Sequence, residues 1–300
     1  MDISQSNWTE NDNNNSTAAP DGAPEGMAAS GVNDVLRAHQ GAVKRFWNKI
    51  NAVKTTAGSA SAFTLAYDVA PAAYVDGEIL SFVVNATNAA AATLNVNALG
   101  AIPLRLFAGN LLPGALLANQ IVQARYSSSA GAFDIIPQNG WVRLGEVDAS
   151  AAATVDFTSI PAGVNNLMLV AEGTVSAACA INLRTYGADG VLDTGASDYV
   201  QNLIVGRGGA VTSGTFIGAS FNLVSDVDVG TTGFSTNVVA ANIQAATKTK
   251  FNIQSHAQGA IAYAATVGNG MRDEAARVTG IRIFPSSGTV TGKCTLLASA

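Results

Sequence analysis

The chain has 300 residues, of which 48% are hydrophobic and only 12% charged, and its formal net charge is -5. This length allows two modest domains, and the lack of a basic stripe argues against nucleic-acid binding. No apolar run reaches the roughly 18 residues of a membrane-spanning helix, so we expect no membrane insertion. Because about a quarter of the residues of an ordinary soluble domain are charged, this composition predicts that part of the surface is buried against further copies of the chain.

The start of the chain and its cysteines indicate where the protein is made. The opening residues MDISQSNW are polar and acidic, which is not typical of a signal peptide. Cys179 and Cys294 are the only cysteines and lie far apart in the sequence. We predict that both are buried apolar residues and form neither a disulfide nor a metal site, which fits synthesis in the cytosol of a producing cell.

Residues 1–29 are predicted to form an extended arm. Their first 25 residues are mostly Asn, Ser, Thr, Asp, Pro and Ala, and Trp8 is the one aromatic residue among them. Such a segment cannot bury enough apolar surface to fold alone. We therefore expect the arm to be ordered only where another protein binds it.

Residues 30–54 are predicted to contain a helix over 30–51, with Ser30 as its N-cap. Six residues recur at alternating steps of four and three, as in a heptad seam: Val32, Leu36, His39, Val43, Phe46 and Ile50. This seam either packs on the chain's own domain, as in a single amphipathic helix, or joins copies of the chain.

From residue 55 onward, the pattern predicts a mainly β protein. Short runs of period two, separated by Gly, Asn and Asp turns, predict a small antiparallel β domain over 55–140. Residues 141–300 contain about ten further strand candidates, including GTFIGASFNLV as one run, without a convincing helix between them. This second region is predicted to be a β-sandwich of jelly-roll type. No repeat of fixed period indicates a β-helix.

No motif predicts a catalytic, cofactor or metal site. Residues 286–295 (SSGTVTGKCT) resemble a phosphate-binding loop, but three residues separate the glycines and a cysteine follows Lys293, so a hairpin turn is expected. The clustered aspartates lack the spacing of a calcium loop and are expected in turns. The two histidines, His39 and His256, do not complete a triad or a zinc pattern.

Two polar segments of the second region are candidate receptor-binding loops, Gly187–Asp198 and Val205–Gly214, because recognition is often carried by loops on a rigid frame. Tyr186 and Tyr199 flank the first segment, whose aspartates include Asp189 and Asp193, and Arg207 lies in the second. Exposed tyrosine rings there would stack on sugars. The alternative is that these tyrosines pack within the sheet and the aspartates serve the turns.

The segment PEGMAASGVNDVLR, residues 24–37, resembles the N-terminal anchoring motif of phage tail fibres. In that family, a polar arm with an early Trp precedes Glu-Gly-Met, followed by Ser, Val-Asn-Asp and Arg on a helix. The matching positions are Trp8, Glu25, Gly26, Met27, Ser30, Val32, Asn33, Asp34 and Arg37. The family often has Pro before the serine, where this chain has Ala29. The resemblance implies that Trp8, Glu25, Met27, Asn33 and Arg37 anchor the protein to a virus particle.

The rest of the chain is similar to the usual continuation of such fibres. YVDGEILSF, AATLNVNALGAIPLR and AGAFDIIP resemble the small β unit that follows the anchor. WVRLGEVDASAAATVDFTSIP and GIRIFPSSGTVTGKCTL resemble the first and last strands of a β-sandwich common in phage virion proteins. The resemblance implies a homotrimeric virion protein.

Three functions follow as hypotheses. In the first, a non-enzymatic tail fibre or fibre adaptor docks by its arm to tail, portal-adaptor or other virion proteins. Its sandwich then meets a host surface glycan or protein, or a further fibre. In the second, a head fibre or capsid decoration protein uses the same parts with another dock. The third, a tailspike-type polysaccharide depolymerase, is disfavoured because neither a β-helix nor a carboxylate pair is indicated.

Overall fold

The structure is a computed structural model that describes residues 24–137, 140–207, 210–227, 233–244, 247–258 and 263–299. Within these ranges, the chain forms one helix and twenty strands, so the prediction of a mainly β protein is confirmed. The described residues divide into two compact units, each considered separately below. The first comprises 24–86, 93–104 and 118–136, and the second comprises 87–92, 105–117 and the described residues from 137 onward. Two segments of the region predicted as one small domain therefore belong to the second unit.

The helix α1 spans Ala29–Ile50, one residue earlier at its start than predicted. Ala28, in an extended conformation, occupies the N-cap position without a side-chain hydrogen bond, and Ser30 lies inside the first turn. The assignment of Ser30 as N-cap is therefore wrong. A tight turn at Pro24–Met27, with Gly26 at a φ of 70°, leads straight into Ala28, so the helix starts before the serine is reached.

One face of α1 packs on the first unit, against strand β3. Its buried residues Val35, Ala42 and Lys49 are seven residues apart, so they form a narrow stripe along the helix. At the end of the stripe, Lys49 Nζ lies 2.6 Å from Glu78 Oε1, and both side chains are largely buried. This ion pair fixes the last turn of the helix beside the start of β3.

The first sheet contains eight short strands in the order β1-β2-β4-β5-β8-β7-β3, with β6 beside β5. Buried and exposed residues alternate along β2, where Phe63 and Leu65 are buried, as the period of two predicts. The sheet is not purely antiparallel as predicted, because β2 and β4 are parallel, with Ala62 opposite Thr93. Between β2 and β4 the chain forms a crossover connection that includes β3. Such a connection lets the two strands run in the same direction. The bounds are β1 Ala57–Ser59, β2 Ala62–Leu65, β3 Ile79–Val83, β4 Thr93–Val96, β5 Ala101–Leu106, β6 Gly109–Asn110, β7 Ile121–Ser127 and β8 Ala132–Ile135.

The second unit consists mainly of two antiparallel sheets. One has four strands in the order β10-β19-β12-β15, and the other has eight in the order β14-β13-β18-β17-β16-β11-β20-β9. The bounds are β9 Val142–Ala152, β10 Val155–Phe157, β11 Asn166–Val175, β12 Cys179–Tyr186, β13 Tyr199–Arg207, β14 Ala210–Gly218, β15 Phe221–Val227, β16 Phe234–Ala241, β17 Lys250–Gln258, β18 Tyr263–Arg272, β19 Gly280–Pro285 and β20 Val290–Ser299.

Aromatic side chains join the two sheets of the second unit. The ring of Phe221, on the four-stranded sheet, lies 4.8 Å from that of Tyr199 and 4.5 Å from that of Phe251, both on the eight-stranded sheet. All three residues are buried. Cys179 and Cys294 are also buried and unpaired, as predicted, and burial raises the pKa of the Cys294 thiol to about 12.

Three local predictions for the second unit are wrong. The run GTFIGASFNLV is not one strand, because β14 ends at Gly218 and β15 then crosses to the other sheet. Ser286–Thr289 is not a hairpin turn, because β19 and β20 belong to different sheets. The segment Val205–Gly214 is largely strand rather than loop, with Arg207 at the end of β13 opposite Ala210 of β14. The first two errors concern the sheet to which the next strand belongs, which a local sequence pattern does not show.

The connection between β19 and β20 depends on Gly288, whose φ is 70°. A Cβ at this position would lie 2.6 Å from Ser176 Oγ and 2.9 Å from Ala177 Cβ. We expect Gly288→Ala to lower the free energy of unfolding by about 1–3 kcal/mol, measured by urea titration, because it adds this clash to an unfavourable backbone conformation. Gly140→Ala is the control, since its added methyl would have open space and no positive φ. Equal stability of the two variants would contradict the strain at Gly288.

Candidate interaction surfaces

The seam of α1 is mostly exposed. Four of its five apolar residues are exposed, from 43% at Phe46 to 61% at Val43. The fifth, Ile50, is half-buried. His39 is exposed as well, and the neighbouring Trp47 is 54% exposed. The packed stripe of Val35, Ala42 and Lys49 is a different set of residues. The helix thus packs on its own unit, as the first alternative expects, but through that stripe and not through the seam. Association of copies through the seam stays a prediction.

The described part of the predicted anchoring motif lies at the surface. Glu25, Asn33 and Arg37 are exposed, and Met27 is half-buried. Arg37 Nη1 lies 3.7 Å from Asp34 Oδ1, one helical turn earlier, and both side chains are mostly exposed. A surface pair of this kind contributes little to stability, so Arg37 remains accessible to a binding partner. Trp8 lies outside the described residues.

The loop between β12 and β13 has an ionic network beneath it. Asp193 accepts hydrogen bonds from Arg272 Nε at 2.7 Å, Arg272 Nη2 at 3.1 Å and Thr185 Oγ1 at 2.5 Å. Arg272 is fully buried, and it also contacts Glu274 and donates to Ala276 O at 2.9 Å. A buried guanidinium requires such partners, because an unpaired charge there would lose its hydration without compensation. The Asp193 carboxylate is thus occupied by hydrogen bonds that stabilise the loop.

Tyr199 belongs to the same network and is fully buried. Its hydroxyl accepts a hydrogen bond from Thr185 N at 2.8 Å and donates to Asp193 O at 3.4 Å. Burial, assisted by the nearby Asp193 carboxylate, raises the pKa of Tyr199 to about 12. The prediction that the Tyr199 ring contacts a receptor is therefore wrong, and the alternative of packing within the sheet holds for this residue.

Tyr186 is half-buried and bonded on two sides. Its hydroxyl donates to Asp156 Oδ1 at 2.6 Å, and Arg282 both forms a bidentate pair with Asp156 and lies 5.7 Å from the Tyr186 ring centre. Burial would raise the pKa of Asp156, but hydrogen bonds from Arg282, Tyr186 and Thr154 outweigh it and keep that pKa below its ordinary value. Ionised Asp156 therefore stabilises the folded chain at any pH above the ordinary pKa of a carboxyl group. This contribution is lost as the pH falls through the lowered pKa of Asp156.

The remaining candidate contact residues are more accessible. Asp189 is exposed, and its carboxylate accepts a hydrogen bond from Val191 N at 2.9 Å, as an aspartate in a turn does. Asp198 similarly accepts from Gly195 N at 2.5 Å. Arg207 is exposed at the end of β13. The structure thus brings Tyr186, Asp193 and Tyr199 together as supports of the loop, and leaves Asp189 and Arg207 at the surface.

Sequence reasoning missed the cations that organise this region. Arg272 lies 79 residues from Asp193, and Arg282 lies 126 residues from Asp156. No local pattern joins residues so far apart. The one available signal was the scarcity of charge, since a lone arginine in an apolar strand usually has a buried partner.

In the described ranges, no three His, Cys, Asp or Glu side chains are grouped to hold a metal ion. In the part of the chain that the structure describes, no helix is both long and apolar enough to cross a membrane. No protein-family model, curated protein or solved structure matches the chain.

The loop network yields a direct comparison between two aspartates of one loop. We expect Asp193→Ala to lower the free energy of unfolding by about 3–5 kcal/mol, because it leaves the buried Arg272 charge without its main partner. Asp189→Ala should change it by less than about 1 kcal/mol, since an exposed turn hydrogen bond is easily replaced by water. Denaturant titration of both variants checks this, and similar losses would show that Arg272 does not depend on Asp193.

Proposed function

We propose that this chain is a non-enzymatic structural protein of a bacteriophage particle, a tail fibre or fibre adaptor that forms a homotrimer. The observation that carries the proposal is that the helix bearing the anchoring motif also exposes an apolar seam. Val32, Leu36, Val43 and Phe46 lie beside the stripe that packs on the first unit, and each is at least 43% exposed. Exposed apolar residues at heptad spacing are the surface that parallel helices bury against one another.

The sequence motif supports the virion part of the proposal. Glu25, Asn33 and Arg37 are accessible at the start of the helix, where a docking partner could reach them. The arm before Pro24, with Trp8 as its anchor, would bind a tail, portal-adaptor or other virion protein, because a Trp that fills a pocket often dominates binding energy. Localisation in the particle follows from this docking.

The second unit would then be the part presented for host attachment or further assembly. We propose that its two sheets form a sandwich of jelly-roll type. In the loop Gly187–Asp198, the Asp193 carboxylate is paired with the buried Arg272, which restrains the loop. A rigid loop loses less conformational freedom on binding. Asp189, Arg207 and the half-buried Tyr186 remain the candidate contacts for a host surface glycan or protein.

The seam makes a prediction about oligomeric state. The wild-type chain should be a trimer by light scattering, and the double variant Leu36→Lys/Val43→Lys should lose that association, because each copy would bring two like charges into an apolar contact. The control is Asn33→Lys/Gln40→Lys, which adds two lysines at the same seven-residue spacing outside the seam. A wild-type monomer, or a trimer unaffected by Leu36→Lys/Val43→Lys, would contradict a seam-mediated trimer.

The arm makes a separate prediction about assembly. A chain lacking residues 1–23 retains every described helix and strand, so we expect it to stay folded and trimeric. It should nevertheless fail to enter phage particles when it replaces the full chain during infection, as judged by protein analysis of purified particles. Trp8→Ala should weaken incorporation in the same direction. Normal incorporation of the truncated chain would refute docking through the arm.

A further inference from the structure

The edge strand β14 of the eight-stranded sheet has no features that would protect it from association. It is the terminal strand of its sheet, and its nine residues, AVTSGTFIG, include neither a charged residue nor a proline. Val211 is 72% exposed, Ile217 is 64% exposed and Phe216 is half exposed. Natural edge strands usually carry charges, prolines or bulges that prevent pairing with another chain. An edge without them is expected to be covered in the working protein.

The apolar surface continues from β14 onto its neighbours. The register places Val211 and Ile217 on the side of the sheet that bears Ile204 of β13, opposite the buried Leu203. Ile204 is directly opposite Val267 of β18, and both are more than half exposed. We call this side of the three strands the β14 face; its large apolar side chains are Ile204, Val211, Ile217 and Val267.

A row of amides crosses the same face. Asn269 of β18 is directly opposite Asn202 on one side and Asn252 of β17 on the other. These three residues line a groove of about 730 Å³, together with Ile204 and Val267. Each amide carries donors and an acceptor side by side, so it can pair with an identical amide. The row can therefore bond the Thr and Ser hydroxyls and the backbone groups of an edge strand such as β14 from another copy.

The absence of charge on the face favours another copy as its occupant. The sequence contains no Asp, Glu, Lys, Arg or His in 199–206, 210–218 or 264–271. Copies bring the same charges to a shared interface, so a self-contact is easiest where charges are missing, whereas a charged partner would require opposite charges here. The low charge of the entire chain, 12%, points the same way.

The face supplies a substantial part of such a contact. Strands of nine residues are about 30 Å long, and β14, β13 and β18 together are about 14 Å wide, at roughly 3.3 Å per residue and 4.8 Å per strand. Their flat footprint of about 430 Å², before side-chain relief is counted, is roughly half of the ~800 Å² that each partner buries in a standard interface.

We propose that the β14 face is a second self-association surface, on which the second unit of another copy packs. In a closed ring, each copy offers one patch and receives a different one, so the apolar edge strand of one copy fills the amide-lined groove of the next. This contact is separate from the α1 seam, and it does not depend on the virion assignment.

Thiol protection tests the proposal in the full-length protein. Val211→Cys places a thiol on the face, and Val191→Cys places one at a similarly exposed valine, 61% exposed, in the loop Gly187–Asp198. The native Cys179 and Cys294 are buried, so they contribute little background. In the assembled protein, the Val211→Cys thiol should react with a maleimide roughly tenfold or more slowly than the Val191→Cys thiol, because reaction needs an accessible thiolate. Equal rates in a confirmed trimer would overturn the β14 interface while leaving the α1 seam intact.

A charge substitution provides the second measurement. Ile217→Lys in the Val211→Cys background should restore fast labelling, because it places a lysine from every copy in the contact. Val191→Lys in that same background should leave the protection unchanged. Protection that survives Ile217→Lys in a folded protein would mean that something other than a second copy covers the face, and would overturn the proposal.

Discussion

The packing of Phe221 between Tyr199 and Phe251 is the contact on which the second unit depends. It joins a four-stranded and an eight-stranded sheet that share no ladder of hydrogen bonds, so side chains alone hold their faces together. The chain passes repeatedly between the sheets, for example at Gly218–Phe221 and at Pro285–Val290.

Tyr199 links this core to the surface. Its ring packs on Phe221, while its hydroxyl joins the network of Thr185, Asp193 and the buried Arg272. The loop Gly187–Asp198 is therefore attached to the core by charge-assisted hydrogen bonds, which are stronger than neutral ones. A loop fixed in this way can present Asp189 in a defined position, and its rigidity is compatible with recognition by shape.

Two apolar surfaces remain uncovered within one chain, and each lies on a separate unit. One is the α1 seam, which lies beside the narrow stripe of Val35, Ala42 and Lys49 that packs on β3. The other is the β14 face, where an uncharged edge strand adjoins a row of asparagines. Large exposed apolar patches on a protein with so few charges are typical of interfaces, and the proposed association between copies of the chain would cover both.

The sequence by itself determined the element types, because hydrophobic periods of four-three and two are local properties, visible in residues such as Val32, Leu36, Phe63 and Leu65. It also determined that Cys179 and Cys294 would be buried and unpaired. Only the tertiary structure decided which sheet each strand joins, that β2 and β4 are parallel, and that Arg272 pairs with Asp193. These outcomes depend on contacts between residues tens of positions apart. They also depend on which side chains pack best in the shared core, and a short stretch of sequence does not show this. Core packing likewise determined which candidate contact residues are accessible: Tyr199 is buried in the core, and Asp189 is exposed to solvent.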